Sequence, residues 1–365
     1  MAGIYFHIPF CKKRCIYCDF FSSVDCHAKV AYVDALCREV ELRKDYLKGE
    51  AIETIYFGGG TPSQLSAGDF RKIFQNLSFG GEVEITLEAN PDDLIPEYLD
   101  SLKNLPFNRI SLGIQSFHDD ELRFLNRRHT AEPAIQAVKR CQETGFQNIS
   151  IDLMYGLPNQ TLEKWRNTLQ QAIDLKIQHI SAYHLMYESG TPLFDLWQRG
   201  KIHPIDEELS VAMFEQLIDR LSEAGFEQYE ISNFACPGCH SRHNSAYWNG
   251  TQYLGIGASA HSYNRISRQW NSCIAGAGYL SAGFEMELLD EKAMFNDFII
   301  TRLRTMKGID LNEMQSLFGK KKTDDCLRQA EKHLQNQLLQ IEETHLRLSR
   351  KGIFVSDGIM SDLIL

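Results

Sequence analysis

The chain comprises 365 residues, 43% hydrophobic and 24% charged, with a formal net charge of −10. That length suits one large domain plus a smaller one. The acidic balance argues against a nucleic-acid-binding surface, where clustered basic residues are expected, and no apolar run reaches the roughly 18 residues of a membrane span.

Met1-Ala2-Gly3 leads straight into Ile4-Tyr5-Phe6 without the apolar region of a secretory leader. The expected location is therefore the cytoplasm, where thiols stay reduced. Short β-rich runs then alternate with helical patterns. Strands are expected over 4–8, 54–57, 83–88, 109–115, 148–154 and 179–184. Helices are expected over about 28–48, 66–77, 94–103, 119–126, 131–144 and 161–175, with Val30, Val33, Leu36 and Val40, and then Ile135, Val138 and Cys141, at helical spacing. Six strand–helix repeats predict βα units around a parallel sheet. Gly58-Gly59-Gly60-Thr61 follows the second strand, Glu88 ends the third, Gln115 ends the fourth and Asp152 lies in the fifth. Polar groups recurring near carboxyl ends of consecutive strands favour a partial (βα)6 barrel over a doubly wound sheet, and mark a shared site.

After about residue 195 the alternation stops. Residues 209–226 form an amphipathic helix with Val211, Phe214, Leu217, Ile218 and Leu221 on its apolar face. The glycine-rich stretch 248–263 predicts tight turns near a ligand or another strand. From about 288, helices over 291–306, 310–318 and 323–340 lead into a β-like hairpin. That order suggests a smaller α+β, winged-helix-like module packed against the barrel. Lys320-Lys321-Lys322, after Gly319, is expected in a solvated loop. The division is thus 1–195 for the barrel, 196–287 for a connecting region and 288–365 for the C-terminal module.

Of ten cysteines, Cys37, Cys141, Cys273 and Cys326 are isolated and expected as small buried hydrophobes. Cys11, Cys15 and Cys18, spaced Cys-x3-Cys-x2-Cys just after the first strand, can direct three thiolates at one iron–sulfur cluster. Most such clusters use four protein thiolates, so three would leave one iron open to a chelating ligand. An incomplete zinc site is the weaker reading, because zinc sites usually close with a nearby Cys or His, and Cys26 and His27 lie beyond Phe20-Phe21. A second group, Cys236-x-x-Cys239-His240, has the spacing of covalent c-type haem attachment and of a redox or zinc dithiol. His243-Asn244 and Tyr247-Trp248 follow it.

The cysteine loop, with Tyr17 before its last Cys, and the "GGGTPS" segment resemble the radical S-adenosylmethionine (SAM) superfamily. "IYFHIPFCKKRCIYCDF", "YFGGGTPS", "LEANPDD", "SLGIQSF", "LNRRH", "IDLMYGLP" and "SRHNSAYW", in order over nearly the whole chain, are similar to the oxygen-independent coproporphyrinogen III oxidase family, and most of all to its haem-chaperone branch. The resemblance implies a [4Fe–4S] cluster on Cys11, Cys15 and Cys18, with SAM chelating the open iron. It puts Tyr5 and Tyr17 near SAM, Gly59, Gly60 and Thr61 on its amino-acid moiety, and Glu88, Gln115, Arg127 and Asp152 around the rest.

Two departures set the chain apart from the oxidases: Phe20 stands where they carry a further cysteine, and the first strand begins almost at Met1 where they carry an extension. Both fit the chaperone branch, whose HNxxYW motif is His243 to Trp248. That branch implies haem binding and delivery to haem-accepting proteins, membrane-associated ones among them, by a monomer or cluster-linked dimer. His243 becomes the candidate haem ligand, with Tyr247 and Trp248 offering flat faces. Whether the chain is also an enzyme stays open, oxidative decarboxylation of coproporphyrinogen being the alternative. On this reading Cys236-x-x-Cys239-His240 is incidental.

Overall fold

The computed structural model describes residues 1–365. Strands β1 (Ala2–Ile8), β2 (Ile52–Gly59), β3 (Glu84–Ala89), β4 (Arg109–Gln115), β5 (Ile149–Tyr155) and β6 (His179–His184) pair in parallel in chain order. Helices α1 (Lys29–Leu42), α2 (Ala67–Gln75), α3 (Pro96–Leu102), α4 (Asp119–Phe124), α5 (Ala131–Thr144) and α6 (Leu162–Asp174) occupy the crossovers. The partial (βα)6 barrel expected from the strand–helix rhythm is therefore present. Helix α1 stops at Leu42, short of 48, where Arg43 leaves helical geometry, and the chain turns again with positive φ at Lys48 and Gly49.

The strands alternate strictly, and this decides what the barrel contains. Ile4, Phe6, Ile8, Ile55, Phe57, Ile85 and Leu87 pack outward with Tyr32, Leu36 and Phe70 of the first two helices. Ile110, Leu112, Ile149, Ile151 and Ile180 pack outward with Val138 of α5 and with Trp165 and Leu169 of α6. The residues between them point to the opposite face, since side chains on a strand have a period of two. Hence Thr54, Glu84, Arg109, Asp152 and His179 face the barrel interior. An interior this polar differs from the apolar layers that fill a closed eight-stranded barrel, and its groups need partners.

The connecting region completes the sheet. It contributes α7 (Pro192–Gln198), α8 (Glu207–Glu223), β7 (Glu227–Gln228), β8 (Asn233–Ala235), α9 (Arg242–Trp248), β9 (Gln252–Ile256), β10 (His261–Tyr263), β11 (Ser267–Asn271), α10 (Gly278–Ala282) and β12 (Phe284–Leu288). Strand β8 pairs antiparallel with β6, while β9 pairs parallel with β1 and extends the parallel set on that edge. Both barrel edges are thereby covered, and parallel pairing returns well after residue 195, where the sequence rhythm ends. The glycine-rich stretch does meet another strand: a Cβ on Gly255 would lie 2.0 Å from the His261 carbonyl oxygen.

The C-terminal module has α11 (Glu291–Leu303), β13 (Ile309–Asp310), α12 (Leu311–Gln335), β14 (Leu339–Glu342), β15 (His345–Leu348), α13 (Arg350–Ile353) and α14 (Ser356–Leu363), with strand order β13-β15-β14. This is the winged-helix-like arrangement expected. Phe295, Ile299, Met314 and Leu346 share one apolar cluster with Trp165 and Met213, so the module packs on the barrel.

Several residue-level expectations fail. Val30 is 71% and Val211 36% exposed; Met213, not Val211, is buried beneath α8. Cys37, Cys141 and Cys326 are buried, but Cys273 is exposed. Lys320–Lys322 are helical, the break being the single residue Gly319 at φ 81°, and Lys322 Nζ pairs with Glu291 at 2.8 Å.

One buried charge pair ties the edge strands to α1. Glu39, 2% exposed, accepts from Gly257 N (2.9 Å), Asn271 Nδ2 (2.7 Å), Tyr279 Oη (2.8 Å) and Arg43 Nη1 (3.0 Å). Arg43 in turn donates to Ser262 and Gln269 at 2.9 Å. Removing one partner of such a pair leaves an uncompensated buried charge, a cost of about 3–5 kcal/mol. Glu39→Leu is accordingly expected to lower the urea midpoint by that equivalent; an unchanged midpoint would show the network to be dispensable.

Candidate functional site

The carboxyl ends of β1 to β6 surround a cavity of about 420 Å³. The loop after β1 brings Cys11, Cys15, Tyr17 and Cys18 to its wall. Backbone bonds hold that loop: Cys11 N to Ser23 O (2.9 Å), Ser23 N to Pro9 O (2.7 Å) and Leu193 N to Ile16 O (2.9 Å). Asn126 Nδ2 also donates to Arg14 O at 2.8 Å. The turn after β2 brings Gly59, Gly60 and Thr61 alongside. Gly59 has φ 106°, and a Cβ there would meet the His7 ring at 2.5 Å. Only glycine fits so close to β1 in that conformation.

Gln115 closes β4 with φ 72°, at an irregularity in the β4–β5 register. A left-handed backbone at a non-glycine residue costs roughly 1–3 kcal/mol, and bulges of this kind re-aim a side chain beside a site. Glu88 and Asp152 reach the cavity from β3 and β5. Burial pushes the Glu88 carboxyl up to about 7, with a contribution from the nearby Asp152 charge, although Tyr56 Oη donates to Glu88 at 2.6 Å. Burial likewise pushes Asp152 up to about 6, against the opposing charge of Arg109.

Arg127 enters from the turn after α4. It donates to Cys15 Sγ (3.2 Å), to Asn90 Oδ1 (2.6 Å) and to the Gly113 carbonyl oxygen, while its buried Nε has no partner. Cys11 Sγ lies 3.3 Å from Thr61 Oγ1. Burial raises the thiols of Cys11 and Cys18, the latter to about 11. No three His, Cys, Asp or Glu side chains converge tightly enough for a single metal ion. The three thiols are arrayed along one cavity wall instead.

Eight of the nine residues expected around SAM line this cavity: Tyr17, Gly59, Gly60, Thr61, Glu88, Gln115, Arg127 and Asp152. Tyr5 does not. It lies inside the barrel, its hydroxyl 3.2 Å from His7 Nδ1 and its ring stacked on Tyr56 at 6.1 Å. Three inward residues that the motifs leave unmarked also stand out: Thr54, Arg109 and His179. Their signal was available in the period-two polar positions of strands 54–57, 109–115 and 179–184.

The HNxxYW segment lies at the other end of the barrel. It is α9, capped by Ser241 Oγ accepting from Asn244 N at 3.2 Å. The backbone N–H groups of Arg242 and His243 donate to the Glu84 carboxylate at 3.1 and 3.0 Å. His243 is 2% exposed; its Nδ1 lies 2.7 Å from Thr54 Oγ1 and its Nε2 3.0 Å from Tyr247 Oη. Burial, together with the Arg109 charge, pushes this imidazole down to about 3. Both ring nitrogens have hydrogen-bond partners in this conformation, so His243 plugs this end of the barrel. Tyr247 packs edge-on against Tyr253. Of the three residues expected at haem, Trp248 lines a second cavity, which His243 and Tyr247 do not.

Comparison with known proteins places this architecture. A model described as the radical SAM superfamily matches residues 5–172, and one described as the HemN C-terminal domain matches 289–355. The chain is 31% identical to "Heme chaperone HemW" of Lactococcus lactis over 99% of this chain and 97% of that protein. The chain belongs to the HemW family. It is also 38% identical to "Heme chaperone HemW" of Bacillus subtilis, over 72% of this chain and 71% of that one. Its fold matches the solved coproporphyrinogen III oxidase (HemN) of Escherichia coli with a TM-score of 0.85 at 24% identity, covering 100% of this chain and 90% of that one. Radical-SAM membership implies SAM and a [4Fe–4S] cluster. The cavity fits both: three thiols on one wall, an orphaned guanidinium nitrogen, two carboxyls and a wall glycine held open. No helix is long and apolar enough to cross a membrane.

The carboxyl pair generates a pH prediction. Glu88 and Asp152 bind protons up to about 7 and about 6 when folded, against ordinary values of 4.5 and 3.8. The folded state holds more protons than the unfolded one between those limits, so its stability falls as pH rises through that window. Urea midpoints of cofactor-free protein should drop from pH 4 toward 7, less steeply in Glu88→Gln. Identical slopes in both proteins would refute the assignment.

Proposed function

We propose that this protein is a haem chaperone that binds haem and passes it to haem-dependent acceptor proteins. The observation that carries this reading is the near-full-length similarity to relatives named Heme chaperone HemW. In this reading Cys11, Cys15 and Cys18 hold the cluster. SAM lies against Gly59, Gly60 and Thr61, with Tyr17, Glu88, Gln115, Arg127 and Asp152 around it. The chain acts in the cytoplasm, where reduced thiolates stay available as ligands.

When bound, a reduced cluster would supply an electron to SAM, whose sulfonium is cleavable on accepting it. The protein's own contributions follow from the geometry. Arg127 directs donors at Cys15 Sγ and at Asn90, fixing the cysteine loop against β4, and keeps Nε free for a carboxylate. Glu88 and Asp152 accept hydrogen bonds from an amino group or ribose hydroxyls, better when ionised. Tyr56 fixes the orientation of Glu88 by its 2.6 Å bond.

Coproporphyrinogen oxidation is not favoured. Its support is the shared fold, and Phe20, 63% exposed at the cavity wall, stands where the oxidases carry a cysteine. A third reading, an interaction module with a vestigial cluster, predicts that Cys11→Ser leaves haem transfer unchanged.

The test is anaerobic. Cluster-reconstituted protein with SAM and reductant should leave coproporphyrinogen unconverted, yet, loaded with one haem per chain, restore activity to a haem-free acceptor enzyme. Cys11→Ser should transfer at a reduced rate. Protoporphyrinogen formation, or no saturable haem binding by the Soret band, would overturn the reading.

A further inference from the structure

A second cavity, of about 750 Å³, lies between the plugged end of the barrel and the C-terminal module. This falls within the size range of small-molecule sites, roughly 300–1,000 Å³. Its lining includes Tyr229, His240, Trp248, Arg302, Met306 and Lys307, with Glu227, Asp310 and Glu313 among them, and Met306 N donates to the Tyr229 carbonyl oxygen at 3.1 Å. We propose that this cleft is the haem site, with His240 as an iron ligand. The inference rests on the haem-chaperone reading and names the site for its cargo.

Three features support a flat iron-bearing ligand. First, Tyr229, Trp248 and the His240 imidazole give the lining flat faces. The His240 ring stacks on Tyr229 with centroids 4.4 Å apart and planes 17° from parallel. Trp248 is covered on one face by the Arg304 guanidinium at 4.9 Å, and its buried Nε1 has no partner. Second, the lining carries an imidazole and a thioether, His240 and Met306, the two side chains that ligate haem iron in cytochromes c. His240 is the accessible histidine here, its side chain 40% exposed. Its Nε2 lies 3.2 Å from Glu227 Oε2, and its other ring nitrogen has no hydrogen-bond partner. A carboxylate on one imidazole nitrogen is the usual arrangement for orienting a metal-binding histidine. Third, Lys307 provides a cation for a ligand carboxylate, while Arg302 is held by Glu313 at 2.9 Å and by the Trp248 carbonyl oxygen, and Glu227 and Asp310 also line the cleft.

The same geometry decides the role of the neighbouring cysteines. Neither Cys236 nor Cys239 lines the cleft, and Cys236 Sγ faces the Ile177 carbonyl oxygen at 3.8 Å. The cleft lining itself therefore offers no thiol to the ligand. The useful part of Cys-x-x-Cys-His is its histidine, set in the cleft by the turn through Gly238.

The test is a hemin titration of the full-length, cluster-reconstituted protein, followed by Soret absorbance. It compares wild type with His240→Ala and with Ser245→Trp, which fills the cleft from α9. Both positions are partly exposed, and matched thermal midpoints would verify folding. Wild type should bind one haem per chain. His240→Ala should weaken binding about tenfold or more and change the low-spin ferrous spectrum, and Ser245→Trp should weaken it comparably. Wild-type affinity and spectrum in both variants would overturn the cleft assignment while leaving the chaperone reading intact. Absence of binding by wild type would remove both.

Discussion

A parallel barrel with a polar inner face must satisfy its buried charges from its ends. Every second residue of β1 to β6 faces inward, and among these are Glu84, Glu88, Arg109, Asp152 and His179. An unpaired buried polar group costs on the order of 1–3 kcal/mol and a charge more. At the amino end of the strands the answer is structural. Helix α9 inserts, its backbone N–H groups bond to Glu84, His243 bonds to Thr54, and Tyr229 Oη lies 2.7 Å from His179 Nε2. At the carboxyl end Glu88, Asp152 and Arg127 remain facing a cavity. The unsatisfied chemistry collects there, where ligand groups can complete it.

The two motifs that drew attention in the sequence thus lie at opposite ends of one barrel. The Cys-x3-Cys-x2-Cys loop and the glycine turn build the carboxyl-end cavity. The HNxxYW helix closes the other end, which explains its residue types: a neutral imidazole for the lumen, a tyrosine to occupy it, and a tryptophan turned out toward the C-terminal module. Cofactor chemistry and cargo handling need not compete for the same space in this design. The C-terminal module shares its apolar core with α6 and α8, so a ligand between it and the barrel would contact both.

The barrel was legible because its strands carry strong local signals, with β-branched and aromatic runs ending in Gly, Glu or Gln. The cavity was legible because its residues fall at strand ends and in compact motifs. Strand β9 was not, since its five residues pair with β1 only through contacts about 250 positions distant in the chain. The fate of His243 was also hidden. Its motif suggests an exposed ligand, whereas its burial depends on Thr54 of β2, a pairing that no local pattern encodes. Tyr5 lies deeper than its motif suggests: its inward position sets it against Tyr56 and His7 and not in the cavity lining. Val30 and Val211 match helical periodicity but sit at the margins of apolar stripes, where register alone does not decide burial.

The separation of the two ends is tested most directly by a competition measurement. SAM affinity of the cluster-reconstituted protein should be the same with and without one bound haem per chain, and Cys11→Ser should lose cluster iron while retaining haem. Displacement of SAM by haem, or loss of haem with the cluster, would contradict it.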